Sequence, residues 1–360
     1  MTRLDQPRSK GRRLDGPGLI AGAALIVALV MSAGIAISVG TVAIPLTDVA
    51  GTVAAQLGLE HGSVPALTQH IVWELRAPRV VAAGLLGAGL SVGGAVAQSL
   101  TRNPLADPYL LGVSAGSALG AVVVLVIGTA VIPLLAGVTL PAAMTIAAFV
   151  GGLAALVLVL ILATERDGTL QSNRLILAGV AIGQLCAAVT SALVLFGGDE
   201  GAARQVVQWT LGSVAGARWP QVLIMLLVTV PILLVIGRYA RTLDAFAFGE
   251  RSAASLGIAV NQTRWLLYTL VSLLTAALVA VAGIVGFVGL VVPHIVRLLG
   301  GPLHRRVLPL SALGGALLMI WVDLLGRSLV PDTEIPLGII TAVIGVPFFI
   351  VILRRRQVRL

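Results

Sequence analysis

The sequence predicts an all-α integral membrane protein with about ten transmembrane helices, and three observations carry this prediction. Hydrophobic residues make up 58% of the 360 residues and charged residues 11%, whereas a soluble domain carries about 25% charged residues. The apolar residues fall in long runs, and a run of about 20 spans the hydrocarbon core as a helix. Basic residues are distributed unevenly between these runs, as expected of a multi-pass protein under the positive-inside rule.

The helix count depends on two of these runs. The first, 18–40, is longer than the roughly 7–15 residues of a signal-peptide core, so we expect a retained helix. The run from Trp265 to Leu299 is too long for one helix, and we divide it near Gly283. The partly polar segment 202–217 is predicted to form a short helix at the membrane surface. The predicted spans are 18–40, 80–100, 109–131, 142–163, 174–196, 220–237, 265–282, 285–299, 307–328 and 336–353.

Charge placement predicts the orientation of these spans. With the N-terminus in the cytoplasm, the cytoplasmic segments hold 19 of the 24 basic residues, which favours an even number of spans with both termini inside. The chain is then divided into a cytoplasmic tail, 1–17, a transmembrane domain, 18–353, and a second cytoplasmic tail, 354–360. The outer segments keep five arginines, Arg76, Arg79, Arg204, Arg218 and Arg327.

The residue types that enzymes and ion-coupled carriers need are scarce. A phosphate loop needs GxxxxGK[ST], but the one lysine is Lys10. Coupled carriers place carboxylates in mid-membrane, whereas the acids here fall in loops or at predicted helix ends. The four histidines form no i, i+4 pair, and the single Cys186 lies in an apolar run. We therefore expect no catalytic residues, no cofactor and no metal site on this chain, and energy for any transport to come from a partner.

Five segments carry more information than composition does. Two X-Pro steps in 101–114 force a non-helical turn at the cytoplasmic membrane face, and 248–258 is predicted to form a short amphipathic helix ending at Gly257. The segment 73–79 places arginines on the outer side, against the positive-inside bias. In order, the segments are WELRAPR at 73–79, TRNPLADPYLLGVS at 101–114, FGERSAASLGI at 248–258, GFVGLVVPHIVRL at 286–298 and EIPLGIITAVIGVPFF at 334–349.

Together these segments resemble the FecCD family of ABC importer permeases, in the right order and from Trp73 to Leu353. The resemblance implies the vitamin B12 permease fold (the type II ABC importer fold), with ten helices per subunit in the bacterial cytoplasmic (inner) membrane. It implies a second permease subunit in a homodimer or close heterodimer. It also implies two ABC ATPase subunits that bind ATP and Mg²⁺, and an extracytoplasmic substrate-binding protein. Membrane lipid is a further partner, and no nucleic acid is expected.

The resemblance also implies roles for particular residues. The positions that match binding-protein docking are Arg76, Arg79 and Arg327. The positions that match the ATPase coupling helix, in a loop of about 244–260, are Gly249, Glu250, Arg251, Ala254, Leu256 and Gly257. The positions that match the cytoplasmic gate are Asn103, Leu105, Ser172 and Asn173, of which the last two depart from a Thr-Ser pair in the B12 permease. His294 belongs to a framework motif and is expected to be structural.

The function expected from the resemblance is import of an iron chelate, either a ferric siderophore or haem, through a pathway in this permease. Import of cobalamin is the alternative within the same class. A secondary transporter would need coupling carboxylates, and an intramembrane enzyme would need a nucleophile or a metal cluster. Neither feature stands out in the sequence.

Overall fold

The computed structural model describes residues 16–40, 42–59, 64–128, 137–197 and 200–357, and these are predominantly helical. A π-helical turn, Ile71–Arg76, and a 3₁₀ turn, Pro108–Leu111, lie among the α-helices. The α-helices are α1 (Gly16–Ser38), α2 (Leu46–Gln56), α3 (Ala66–His70), α4 (Ala77–Thr101), α5 (Val113–Ile127), α6 (Leu140–Ala163), α7 (Ser172–Gly197), α8 (Glu200–Thr210), α9 (Trp219–Arg238), α10 (Ala240–Ala247), α11 (Glu250–Ser255), α12 (Val260–Ala282), α13 (Val288–Gly300), α14 (His304–Gly326) and α15 (Leu337–Gln357).

The transmembrane helices agree with the predicted spans. Seven helices in the described residues are long and apolar enough to cross a bilayer, and three more are apolar but shorter. The seven are Gly18–Ser38, Ala66–Thr101, Leu140–Ala163, Ser172–Gly197, Trp219–Arg238, Val260–Ala282 and His304–Gly326; the three are Val113–Ile127, Val288–Gly300 and Leu337–Ile352. This multi-pass, all-helical architecture confirms the predicted fold class.

Several boundaries differ from the sequence prediction. The second span starts at Ala66 instead of 80, because α3, the π turn and α4 form one continuous helix. The third span starts at Val113, because the chain before it is held in a loop and a 3₁₀ turn. The surface helix predicted at 202–217 is α8, which ends at Thr210. Helix α15 continues to Gln357, past the predicted start of the C-terminal tail. Most of the predicted N-terminal tail lies outside the described residues.

The division of the long apolar run near Gly283 is confirmed. Helix α12 ends at Ala282, Gly283 has a left-handed φ of 70°, and α13 begins at Val288. Lipid offers no hydrogen-bond partner to the backbone N–H and C=O groups at a helix break, so these groups need partners within the protein. The segment after α8 supplies them, since Ser213 N donates to Ala282 O at 2.8 Å.

A second interruption meets the first one inside the bundle. The loop between α4 and α5 brings Tyr109 to the α12–α13 break, where its hydroxyl donates to Val285 O at 2.9 Å and accepts from Val285 N at 3.1 Å. Pro108 of the same loop packs on Gly93 of α4 and Gly289 of α13. The predicted non-helical turn is therefore a packed internal element.

Small residues allow the helix backbones to approach closely, as the sequence indicated. A Cβ on Gly94 of α4 would lie 1.9 Å from the carbonyl oxygen of Gly289 on α13. A Cβ on Gly120 of α5 would lie 2.0 Å from the carbonyl oxygen of Ala147 on α6. No side chain fits in either contact, so these glycines set the spacing of the framework helices.

Candidate functional site

The end of the bundle predicted to face outward brings together the three arginines predicted to dock a binding protein. Arg76, Arg79 and Arg327 line one open cavity of about 440 Å³, together with Arg218 and Glu334. Arg76 and Arg79 come from the π turn and α4, whereas Arg327 follows α14. The fold therefore makes one surface from segments that are far apart in the sequence.

Arg76 and Arg327 are directed inward, and both donate hydrogen bonds to carbonyl groups at the C-terminal end of α1. Arg76 is only 9% exposed, and its guanidinium donates to the carbonyls of Ile37 at 2.7 Å, Ser38 at 3.0 Å and Val42 at 2.6 Å. Arg327 donates to two further carbonyls, those of Ala36 and Val39. The last carbonyls of a helix lack intrahelical donors and carry partial negative charge, so buried cations there stabilise the helix end.

Arg79 has acidic partners on α14 and in the loop that follows it. Its Nε lies 2.9 Å from Asp323, which is 1% exposed, and its Nη1 lies 2.7 Å from the exposed Glu334. Asp323 also lies 3.4 Å from Arg327 Nε. One buried carboxylate thus compensates two arginines and fixes both in place.

Arg218, at the start of α9, is the exposed arginine of this surface. Its side chain donates to its neighbour Ala217, and the described residues give it no ion pair. Next to it, the Trp219 ring nitrogen donates to the carbonyl of Trp73 at 2.9 Å, and the two indole rings are 4.7 Å apart. This aromatic pair fixes the start of α9 against the α3–α4 helix.

The opposite end, predicted to be cytoplasmic, brings together parts of the predicted gate and coupling helix. Ser172 and Asn173, at the start of α7, line an open cleft of about 260 Å³ with Glu250 of α11 and Arg264 of α12. Arg102 of the α4–α5 loop lines the same cleft. The other two predicted gate residues, Asn103 and Leu105, follow Arg102 but do not line it; Asn103 Oδ1 accepts from Leu105 N at 3.0 Å.

The predicted coupling segment has the shape of a docking element. Helix α11 is bracketed by two glycines with left-handed φ, Gly249 at 101° and Gly257 at 80°. Arg251 and Ala254 are exposed. Phe248 and Leu256, at its two ends, are 82% and 72% exposed. Exposed large apolar side chains next to a charge are typical of a surface that meets a protein partner.

Arg264 is a cleft residue that the sequence analysis did not identify. It is 7% exposed and bonds to three residues in two segments: Glu250 of α11, and Ser172 Oγ and Leu170 O, each at 3.2 Å, at the start of α7. Asn261, one turn earlier on α12, binds the same loop through Leu170 N at 3.0 Å and Gly168 O at 2.9 Å. The only signal in the sequence was an arginine just inside an apolar run.

Helix α10, which precedes α11, is attached to different helices. His304 at the start of α14 contacts Asp244 of α10 through Nδ1 at 2.7 Å and Ser99 of α4 through Nε2 at 2.5 Å. Asp244 also accepts from the His304 backbone N at 2.8 Å. This side-chain network holds α10 on the framework helices, and the sequence analysis assigned no role to its members.

Asp107 in the α4–α5 loop carries a charge without a counter-ion in the described residues. Its carboxylate accepts from Tyr109 N at 3.0 Å and so caps the 3₁₀ turn. Burial raises the pKa of Asp107 to about 6, against the smaller opposing effect of that hydrogen bond. The loop therefore has a titratable group close to neutral pH. His294, expected to be structural, packs its ring on Phe348 of α15 at 5.8 Å.

The chain is similar to known transport proteins over most of its length. The model of the FecCD transport family matches residues 24–355. The chain is 41% identical to a cobalamin import system permease protein of Halobacterium salinarum, over 93% of this chain and 88% of that protein. It is 38% identical to an Fe(3+)-citrate import system permease protein of Bacillus subtilis, over 92% and 94%. It is also 38% identical to a hemin transport system permease protein of Yersinia pestis, over 81% and 85%.

The fold is also that of a known transporter. A solved structure described as a metal-chelate type ABC transporter in an inward-facing conformation superposes with a TM-score of 0.80 at 29% identity, covering 94% of this chain and 99% of that one. The family match and the long relatives agree over almost all of the sequence. The chain therefore belongs to the FecCD transport family and is a multi-pass ABC importer permease.

Proposed function

We propose that this chain forms the translocation pathway of an ATP-driven importer for an iron chelate, a ferric siderophore or haem, delivered by a substrate-binding protein. The subunit pairs with a second permease, most simply a copy of itself, in the bacterial cytoplasmic membrane with both termini inside. ATP and Mg²⁺ are bound by two separate ATPase subunits. The observation that carries the proposal is the pair of partner surfaces at opposite ends of the bundle, the arginine cavity and the coupling segment.

Relatives named for Fe(3+)-citrate and hemin support an iron chelate, as does the metal-chelate type structural neighbour. The relative named for cobalamin keeps that substrate as the alternative. All of these names describe large, metal-containing molecules, so one wide pathway suits them all.

Uptake by the reconstituted complex tests the proposal. The permease, its genomically neighbouring ATPase and its binding protein are placed in liposomes loaded with ATP, and radiolabelled ferric citrate, ferric hydroxamate, haemin and cyanocobalamin are offered in turn. We expect ATP-dependent accumulation of an iron compound and none without the binding protein. Accumulation of cyanocobalamin alone would select the alternative, and ion-driven uptake without the ATPase would overturn the importer assignment.

For docking of the binding protein, we propose that acidic side chains of that protein meet the cavity of Arg76, Arg79 and Arg327. The contacts of Arg76 and Arg327 with α1 indicate that they shape the cavity, while the exposed Arg218 adds charge at its edge. Exposed ion pairs contribute roughly 0.2–1 kcal/mol each, and rim charges act mostly on the rate of association. Substituting the exposed Arg218→Glu should therefore lower the association rate in surface plasmon resonance at moderate salt, and an unchanged rate would contradict the docking site.

For coupling to the ATPase, we propose that the segment from Gly249 to Gly257 enters a groove of that subunit. The exposed Leu256 is the apolar side chain placed to bury itself there. The Leu256→Asp variant should lose co-purification of the ATPase while keeping its own melting temperature. Full co-purification would place the contact elsewhere.

A further inference from the structure

The cytoplasmic gate and the coupling helix are joined by one buried side chain. Glu250 opens α11, and Ser172 opens α7, 78 positions earlier in the sequence. Both are held by the guanidinium of Arg264, which lies inside the first turns of α12. Among the described residues that line the cleft, only Arg264 bonds to both the start of α11 and the start of α7.

We propose that Arg264 is the positioning residue that transmits displacement of the coupling helix to the start of α7, and that this linkage opens and closes the cytoplasmic gate. The inference rests on the proposed function, because it assumes an ATPase that moves α11. It adds a residue and a route to that function.

The geometry suits a transmitting contact better than a purely stabilising one. The Arg264 side chain is 8% exposed, whereas the Glu250 side chain is 43% exposed and lies at the surface that a partner reaches. An ion pair with one buried member resists separation, because an uncompensated buried charge is costly. When α11 moves, the guanidinium therefore either follows Glu250 or loses its counter-ion.

The other bonds of Arg264 direct that movement to the gate. Its second and third partners, Ser172 Oγ and Leu170 O, belong to the short loop and first residue that lead into α7. Tyr268, a further turn along α12, places its hydroxyl 3.4 Å from the same Ser172 Oγ. Ser172 thus contacts two side chains of α12. One is Arg264, which also binds α11, and the other is the buried Tyr268.

Helix α10, which directly precedes α11, is attached to other helices than α11 is. Its Asp244 contacts His304, and His304 contacts Ser99, so α10 is fixed to α14 and α4. Gly249, with a φ of 101°, separates α10 from α11. Of these two consecutive helices, α10 is therefore attached to α14 and α4, whereas α11 is attached to the gate through Arg264. Gly249 lies between them.

Labelling of the gate tests the linkage without knowledge of the substrate. In a Cys186→Ala background, the exposed Asn173 is replaced by cysteine, the permease is assembled with its ATPase in nanodiscs, and reaction with a charged maleimide is timed. The rate is compared between the nucleotide-free state and the state trapped with ATP and vanadate. ATP hydrolysis and ATPase co-purification are measured on the same samples.

The informative variants cut the link on either side of Arg264 without removing the buried arginine. Glu250→Ala removes the contact with α11, and Ser172→Ala removes the contact with α7. We expect each to reduce the nucleotide-dependent change in labelling rate by about tenfold, within the range of known coupling energies. Ser172 lies outside the segment proposed to enter the ATPase, so ATP hydrolysis and co-purification should continue in Ser172→Ala. The matched variant Asp244→Asn, which weakens the attachment of α10, should lower the melting temperature and leave the nucleotide response unchanged.

The outcomes separate the linkage from the proposed function. If the unsubstituted protein captures no ATPase and its labelling ignores nucleotide, the proposed function fails. If nucleotide changes the labelling rate of the unsubstituted protein and changes that of Glu250→Ala equally, the linkage alone fails. An equal response in Ser172→Ala, which keeps the ATPase-docking segment intact, would also remove the linkage, and loss of response in Asp244→Asn would assign transmission to α10; either result overturns the role of Arg264.

Discussion

The two ends of this permease use buried arginines in different ways. At the end predicted to face outward, Arg76 and Arg327 donate to carbonyls at and just after the end of α1, and Asp323 compensates Arg79 and Arg327, so these contacts join α1, the α3–α4 helix and α14. At the end predicted to be cytoplasmic, Arg264 binds α11 and the segment that leads into α7, both of which the proposed function requires to move. The outer arginines build a fixed platform, whereas the inner arginine joins parts that change position.

The largest effect on stability is expected from the acid at the centre of the platform. Asp323→Asn removes the charge that compensates Arg79 and Arg327 while keeping the shape of the side chain. Leaving buried charges unpaired costs about 3 kcal/mol, which should appear as a clearly lower melting temperature in detergent. The matched variant Glu334→Gln alters an exposed partner of Arg79 and should cost under about 1 kcal/mol. Equal losses in the two variants would contradict a buried platform.

Arg76→Met tests whether this arginine is structural. The variant keeps an unbranched apolar stem but removes the guanidinium, which leaves the carbonyls of Ile37, Ser38 and Val42 without their donor. Each unsatisfied buried group costs about 1–3 kcal/mol, and partial access of water should limit the total to about 2 kcal/mol. Arg218→Met, at the exposed edge of the same cavity, should stay within about 0.5 kcal/mol. Thermal unfolding of both variants checks this, and an unaffected Arg76→Met protein would make Arg76 a free docking residue instead.

The smallest effect is expected at Asp107, a carboxyl of the α4–α5 loop to which the described residues give no arginine. Its pKa in the folded protein is raised to about 6, so the neutral form is favoured and stability falls as the pH rises from about 4 through 6. Asn keeps the acceptor for Tyr109 N and cannot ionise. Asp107→Asn should therefore gain on the order of 1 kcal/mol at about pH 7.5, because one pKa unit corresponds to about 1.4 kcal/mol.

The measurement is the difference in melting temperature between the variant and the unsubstituted protein at two pH values. The gain should shrink towards zero at about pH 4, where both side chains are neutral. A gain that is the same at both pH values would show that burial does not act on the charge of Asp107.

The sequence predicted the fold well because apolar runs and charge bias report directly on a bilayer. The split at Gly283 followed from length and glycine content alone, and the structure confirms it. The motifs also indicated which segments reach the two ends of the bundle. The contacts of Arg76 and Arg327 with α1 were not predictable, because carbonyl acceptors leave no residue-specific signal in a sequence. Arg264 was missed for a related reason: its partners Leu170 and Glu250 are 94 and 14 positions away.

The Tyr109 hydroxyl has a consequence for the permeability of the membrane. A broken helix normally exposes an amide and a carbonyl that water would hydrate, and a chain of such waters would conduct protons. Here one phenol both donates to and accepts from Val285, so it takes the place that a water molecule would otherwise fill. The break between α12 and α13 can therefore lie inside a subunit without a chain of water molecules at Val285. Both backbone groups of Val285 therefore have protein partners at a point where the helix itself offers none.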